Sequence, residues 1–315
     1  MQLRHLGTTG IDIAPLVFGG NVLGWTADEK TSLAILDAFI DQGFNAIDTA
    51  DVYSAWVPGH QGGESETLLG KWFASRPGVR DKVALFTKVG MRMGSDDKQG
   101  LKAKWIVQAV EDSLRRLNTE RIDLYFSHQF DASTPAEETL AAYAKLLDAG
   151  KIRAIGASNF TAGQLAASLA TARAHDLPSY QVLQPEYNLY DRSSFEGELR
   201  ALCIAEHIGV VTYYSLASGF LTGKYRSKAD LGKSVRGGRI DKYLDARGLA
   251  LLKTLDGIAQ AHQAQPGEVA LAWLIAREGV TAPIASATSV AQVESFGRAA
   301  RLSLSAQELA ALTAA

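Results

Sequence analysis

Eight short apolar or β-branched runs punctuate the chain, at residues 14–20, 44–48, 82–88, 121–128, 152–158, 181–186, 209–215 and 280–286. Each is apolar throughout rather than alternating, which predicts strands covered on both faces. Between them, apolar positions recur at three- and four-residue spacing over 28–43, 63–75, 102–118, 135–149, 161–175, 193–207, twice within 245–278, and over 290–301. Two of these segments have readable starts. Ser133 or Thr134 stands ahead of Pro135 with acids following, and Thr161 precedes Gln164 by three residues, a capping-box spacing. Strand followed by helix, eight times over, predicts a parallel sheet with outer helices. With eight units, closure into a (β/α)8 TIM barrel is favoured over an open sheet.

One segment lies outside this rhythm. From Ala217 to Tyr243 no periodicity is evident, and the stretch from Lys224 to Lys242 carries seven bases (Lys224, Arg226, Lys228, Lys233, Arg236, Arg239, Lys242) against two acids (Asp230, Asp241). A loop of this length inside a compact domain is usually functional or disordered, and a charge run is by default a solvated face. No repeat or Pro/Ser-rich linker divides the 315 residues, so residues 1–315 are expected to form one domain. A net charge of −2 with 47% hydrophobic residues gives no sign of a nucleic-acid or membrane surface. The single cysteine, Cys203, excludes an intramolecular disulfide. With no signal-peptide h-region and no 18-residue apolar span, a cytoplasmic location is the default expectation.

In such a barrel the C-terminal ends of the strands form the active face. The polar residues there are Asp48, Lys88, His128, Ser158 with Asn159, Gln184 with Glu186, and Tyr214 with Ser215. Each alone has an ordinary structural explanation, as a turn cap, a solvated base or a hydrogen-bonded ring. Together, a carboxylate, an amine and an imidazole at consecutive strand ends would meet in one small volume. Tyr53, five residues beyond Asp48 in "DTADVY", is close enough to fold over the same mouth, whereas Asp51 is expected to turn the loop and be exposed. A tyrosine with a reference pKa of about 10 is a weak donor near neutrality, and an ammonium beside it stabilises its phenolate. Proton transfer to a carbonyl oxygen suits that set.

Rival chemistries lack their patterns. No two glycines are separated by one residue, so the G-x-G-x-x-G fingerprint is absent, and "GFLTGKY" falls short of a P-loop. "GASNF" lacks the second glycine of a nucleophile elbow, and neither H-E-x-x-H nor paired cysteines suggest a metal.

From "LRHLGTTGIDIAPLVFGG" to "LSLSAQELAAL" the chain resembles the aldo-keto reductase superfamily, on "DTADVY", Thr87-Lys88, "DLYFSHQFD", Gly156-Ala157-Ser158-Asn159 and Gln184-Pro185-Glu186-Tyr187-Asn188. The resemblance implies an eight-stranded barrel with an N-terminal β-hairpin and long loops at the C-terminal face, binding a nicotinamide dinucleotide without a Rossmann fold. By position it makes Tyr53 the general acid, Asp48 and Lys88 its tuning partners, and His128 a donor at the substrate carbonyl. It further implies that Ser158, Asn159 and Gln184 hold the carboxamide and that Tyr214 stacks on the nicotinamide. Ser215, Leu216, Gly219, Leu221 and Lys224 would lie along the pyrophosphate, with Ser286, Thr288 and Gln292 at the adenosine phosphate.

That last segment departs from the family habit. Ser286 and Gln292 stand where cations are common, and Ser295-Phe296 replaces a usual Glu-Asn pair. NADP(H) remains the favoured cofactor, with NAD(H) as the alternative.

Trp25, Trp56, Tyr190, Gln129 and Phe130 are candidates for the substrate wall, and the glycine-rich insert "WVPGHQGG" for a mobile loop. The expected activity is reduction of a small-molecule aldehyde or ketone, or the reverse oxidation. Two alternatives are a nicotinamide-binding regulatory subunit, since channel-associated β subunits resemble the same family, and a barrel isomerase or aldolase using Lys88 as a Schiff-base amine.

Overall fold

The structure, a computed structural model, describes residues Met1–Ala315. A short antiparallel hairpin, β1 (Arg4–His5) and β2 (Asp12–Ile13), precedes a closed parallel barrel. The barrel strands are β3 (Val17–Gly19), β4 (Ala46–Asp48), β5 (Ala84–Val89), β6 (Leu124–Ser127), β7 (Ile155–Ser158), β8 (Val182–Gln184), β9 (Gly209–Thr212) and β10 (Ala282–Ala285). Pairing of β10 with β3, Ile284 opposite Val17, closes the ring. All eight expected strands and the hairpin are present, each ladder shorter than the apolar run that announced it.

The helices α1 (Glu29–Asp41), α2 (Glu64–Ser75), α3 (Ala103–Leu117), α4 (Ala136–Asp148), α5 (Ala162–Ala174), α6 (Glu198–Ala205), α7 (Ala246–Ala261), α8 (Pro266–Ala276) and α9 (Val290–Arg301) follow the expected segments. Thr161 and Gln164 make the reciprocal capping box. The start of α4 differs from expectation: Pro135 is the capping residue, without a side-chain bond, because the Ser133 and Thr134 hydroxyls are taken by Asp131. A tenth helix, α10 (Ala306–Ala314), buries Leu312, and its Thr313 Oγ1 accepts from the Trp273 indole N–H at 3.1 Å. Residues 217–243 fold as short 3₁₀ turns rather than one coil.

Two apolar clusters explain the closure. A set of 69 buried residues includes those between barrel and helices, while 14 others fill the barrel interior. The inner set includes Val17, Ala46, Phe86, Phe126, Val182, Val211 and Ile284 from the strands and Leu6, Ile11 and Ile13 from the hairpin, which plugs the N-terminal end. Gly156 occupies the inner position of β7 because a Cβ there would lie 2.4 Å from the Phe126 ring. The interior is a filled core, so ligands are left the C-terminal rim. No helix is long and apolar enough to cross a membrane.

Candidate active site

Strand geometry builds the rim. Side chains alternate faces along a strand, so the residue two beyond each inner core residue also points inward, one layer higher. Counting two from Val17, Ala46, Phe86, Phe126, Gly156, Val182, Val211 and Ile284 gives Gly19, Asp48, Lys88, His128, Ser158, Gln184, Tyr213 and Ser286. This ring is apolar below and polar at the top, and only Gly19 contributes no side chain. A Cβ at Gly19 would stand 2.5 Å from Ser286 Oγ, which instead bonds Asn21 Oδ1 at 2.7 Å.

Within the ring, Lys88 is fully buried. Its ammonium donates to Asp48 Oδ2 at 2.7 Å, to the Thr49 carbonyl at 2.7 Å and to Tyr53 Oη at 3.1 Å. Three N–H bonds meet three acceptors, so its donor capacity is saturated. Asp48 Oδ1 accepts from Gln184 Nε2 at 2.9 Å. Burial opposes the Lys88 charge, yet Asp48 and Tyr53 outweigh it and hold the amine above its ordinary value. Burial also raises the Asp48 carboxyl, against the pull of Lys88 and Gln184.

For Tyr53 the balance differs from the sequence expectation. Burial raises its pKa, the Lys88 charge opposes that rise, and the net shift is upward. The lysine therefore limits a desolvation penalty rather than producing an acidic phenol outright.

His128 is buried, and its Nδ1 has no hydrogen-bond partner. Burial, with Lys88 adding repulsion, drives its pKa well below that of a free imidazole, so it is neutral and one ring nitrogen carries a proton to offer. Its ring lies edge-on to Tyr53 at 5.9 Å, and its carbonyl accepts from Asn159 Nδ2 at 2.9 Å. Asn159, at φ 58°, also accepts from the Tyr213 hydroxyl at 2.7 Å, and Ser158 Oγ bonds the Gln184 carbonyl at 2.9 Å. Amide and hydroxyl groups of three strands thus converge beside His128.

The structure separates the other sequence candidates. Tyr214, at φ 53°, is 37% exposed and its hydroxyl accepts from Arg239 at 2.8 Å, while Tyr213 is the ring in register with the inner stripe. Ser215 is buried with its hydroxyl on the Thr212 carbonyl, and Leu221 is wholly buried among core side chains. Neither presents a side chain to the mouth. Leu216 and Gly219 stay partly open at the bend before Lys224, which is exposed. The Gln292 amide oxygen accepts from the Thr288 backbone N–H at 2.7 Å, and Ser289 caps α9. Residues 282–296 contain no base, and Arg298 just beyond is paired with Glu268.

Trp25 and Trp56 meet edge to face at 5.5 Å, and Trp56 meets Tyr53 at 5.6 Å, forming an aromatic side of the mouth. Gln129 is exposed beside His128, and Phe130 packs on Phe160. Tyr190 lies elsewhere: its hydroxyl bonds Asp245 and its ring packs on Tyr243. The insert expected to be mobile is tied by Glu64, whose carboxylate accepts from the amides of Ser54, Gln61 and Gly62 at 3.1, 2.8 and 3.1 Å. Asp51, expected on the surface, is 1% exposed. The apolar spacing that located the strands carries no information on this, because the cover comes from α2 and α3.

Of the seven bases between Lys224 and Lys242, Arg226, Lys228, Lys233 and Lys242 are ion-paired with Asp256, Asp241, Asp230 and Asp191. Lys224, Arg236 and Arg239 have no carboxylate partner. Arg236 lies over the Trp25 ring at 5.2 Å and leaves one buried guanidinium nitrogen unbonded. Cations of one loop left without a carboxylate partner suit a phosphate-bearing ligand.

Fold and rim together define the class: a (β/α)8 barrel with a buried aspartate–lysine–tyrosine contact chain and a histidine at its C-terminal mouth. The sequence profile of the Aldo/keto reductase family matches residues 15–315. An uncharacterized oxidoreductase, YrpG, of Bacillus subtilis is 34% identical over 96% of this chain and 92% of its own length. The aldo-keto reductase AMT2 of Alternaria alternata is 31% identical, covering 97% and 89%. A probable voltage-gated potassium channel subunit beta of Arabidopsis thaliana is 32% identical over 93% and 89%. The chain belongs to the aldo/keto reductase family, whose oxidoreductases act on carbonyl groups.

Proposed function

We propose that this chain reduces an aldehyde or ketone to an alcohol, or runs the reverse, with a nicotinamide dinucleotide as hydride carrier and Tyr53 as proton donor. The observation that carries the reading is the contact chain Asp48–Lys88–Tyr53, with Lys88 Nζ 2.7 Å from the carboxylate and 3.1 Å from the phenol, beside a neutral imidazole. When bound, the nicotinamide supplies the hydride.

This chain's residues do the rest. His128 donates to the substrate oxygen and orients the carbonyl. Tyr53 gives that oxygen its proton as charge develops on it, and Lys88 stabilises the phenolate left behind until water reprotonates it. Ser158, Asn159 and Gln184 would hold the carboxamide, and Tyr213 rather than Tyr214 would lie against the ring. Lys224, Arg236 and Arg239 would meet the phosphates. These loop cations support NADP(H) although residues 282–296, up to the middle of α9, offer none, and NAD(H) remains the competitor to be measured.

Titration with NADPH and NADH by fluorescence, followed by a carbonyl panel read as loss of cofactor absorbance, tests the reading. Absence of binding to either nucleotide would overturn it. The likeness to the channel subunit favours a second reading, a cofactor-binding regulatory protein. Nucleotide binding with no turnover of any carbonyl would support that one. A Schiff-base role for Lys88 is disfavoured, since its amine is charged and fully bonded.

A further inference from the structure

Asp51 sits three residues beyond Asp48 and two before Tyr53, and neither of its carboxyl oxygens has a hydrogen-bond partner although it is buried. Its own amide donates to the Lys88 carbonyl at 3.3 Å, which ties it to the strand carrying the ammonium. The groups around it come from every neighbouring element. From α2 comes Glu66, fully buried, with one oxygen on Thr87 Oγ1 and the other on Arg116 Nε at 2.8 Å and Nη2 at 2.7 Å. From α3 comes Arg116, from β5 Lys88, from β6 Tyr125 and from α4 Tyr143. The Tyr125 hydroxyl is buried and also without a partner, while that of Tyr143 bonds Ser127.

Two buried carboxyls thus share one guanidinium, and Glu66 has claimed it. A second carboxylate here would be an uncompensated interior charge, which costs several kcal/mol and favours the neutral acid. Burial first, then the Glu66 charge, pushes Asp51 well above the ordinary carboxylate value, with Arg116, the neighbouring Val52 amide and, least of the three, Lys88 opposing. A protonated carboxyl and an orphaned buried phenol are the kind of groups that buried water satisfies.

We propose that Asp51 is a positioning residue acting on Tyr53 through Lys88: buried without a partner two residues before Tyr53 and denied Arg116 by Glu66, it leaves Asp48 the only carboxylate bonded to the ammonium. Its ionisation at alkaline pH weakens Tyr53 as a donor. The inference rests on the reading of Tyr53 given above. A second anion near Lys88 cancels part of the positive field at the phenol and makes its phenolate harder to form. Because Asp51 touches neither Tyr53 nor substrate, the effect is partial. A charge that acts only through space, past an ammonium already bonded to three acceptors, is expected to lower kcat/KM by at most about tenfold, not to abolish it.

The test is kcat/KM for carbonyl reduction between about pH 5 and pH 10 for the wild type, Asp51→Asn and Glu66→Gln. The wild type should fall to a lower plateau at alkaline pH, Asp51→Asn should show no such step, and Glu66→Gln, which frees Arg116 for Asp51, should move the step to lower pH. Infrared spectra should show a protonated-carboxyl stretch in the neutral wild type that Asp51→Asn removes. A step of the same size and position in Asp51→Asn, no step in the wild type, or no such band overturns the proposal. If Asp51→Asn does not fold, the Glu66→Gln shift and the disappearance of the wild-type band with rising pH decide. Full turnover by Tyr53→Phe would instead refute the donor assignment, and the infrared band would still report on Asp51 by itself.

Discussion

Replacing Lys88 by methionine removes a cation of nearly the same length and probes stability and chemistry together. Lys88 is fully buried, and its ammonium satisfies Asp48, the Thr49 carbonyl and Tyr53. Without it Asp48 keeps only the Gln184 amide. Breaking a buried pair from one side costs about 3–5 kcal/mol, because the remaining charge is left uncompensated. For the chemistry, a charge 3.1 Å from the phenol oxygen at an effective dielectric of about 20 interacts with a phenolate by roughly 5 kcal/mol, before the desolvation that offsets part of it. Turnover should therefore fall by about 10²–10⁴.

The two effects separate in the double variant Asp48→Asn/Lys88→Met, which leaves no unpaired charge. Thermal melts should show most of the lost stability returning, while single-turnover hydride transfer, followed by cofactor absorbance, should stay at the level of Lys88→Met. Cofactor affinity, measured by fluorescence, should change little in either. Recovery of turnover to within about tenfold of wild type in the double variant would refute the assignment of Lys88 to the Tyr53 proton.

Tyr53→Phe removes only the donor hydroxyl and should lose carbonyl reduction by at least about 10² while binding nucleotide normally, as equilibrium titration and steady-state assay together will show. Arg236→Ala/Arg239→Ala should weaken NADPH binding by about tenfold or more, measured by calorimetry, whereas the same substitution at ion-paired Lys228 should not. Asp131 accepts from the Leu101 amide at 2.8 Å, the Ser133 amide at 2.9 Å and two hydroxyls. Burial opposes its charge, but these bonds win and lower its pKa to about 2. Its stabilising effect is therefore complete above the unfolded value near 3.8 and lost as pH falls toward about 2. Melts of Asp131→Ala should lie about 1–2 kcal/mol below wild type at neutral pH, and the gap should close in acid.

The sequence revealed the parts governed by period and missed those governed by neighbours. Apolar runs of strand length separated by helical periodicity located all eight barrel strands, since both faces of each strand are buried and so read as hydrophobic without alternation. The same property hid the register, because a strand apolar on both faces does not say which residues point inward.

For that reason the sequence nominates Tyr214, whereas the inner stripe carries Tyr213. The information was nonetheless present: Asp48, Lys88, His128 and Gln184 all belong to one inner stripe, and extending it by the same count of two from Val211 reaches Tyr213. Asp51 marks a different limit. A short acid in a turn-like hexapeptide reads as solvent-facing, and only the arrival of Glu66 and Arg116 from helices outside the barrel makes it an interior group. The same holds for the base-rich loop, in which four cations are neutralised by acids, two of them (Asp191 and Asp256) outside the 224–242 stretch and two (Asp230 and Asp241) within it, so that the functional candidates are those left over. Local pattern fixes where a polar group leaves the strand; its charge state depends on partners the linear sequence does not place beside it.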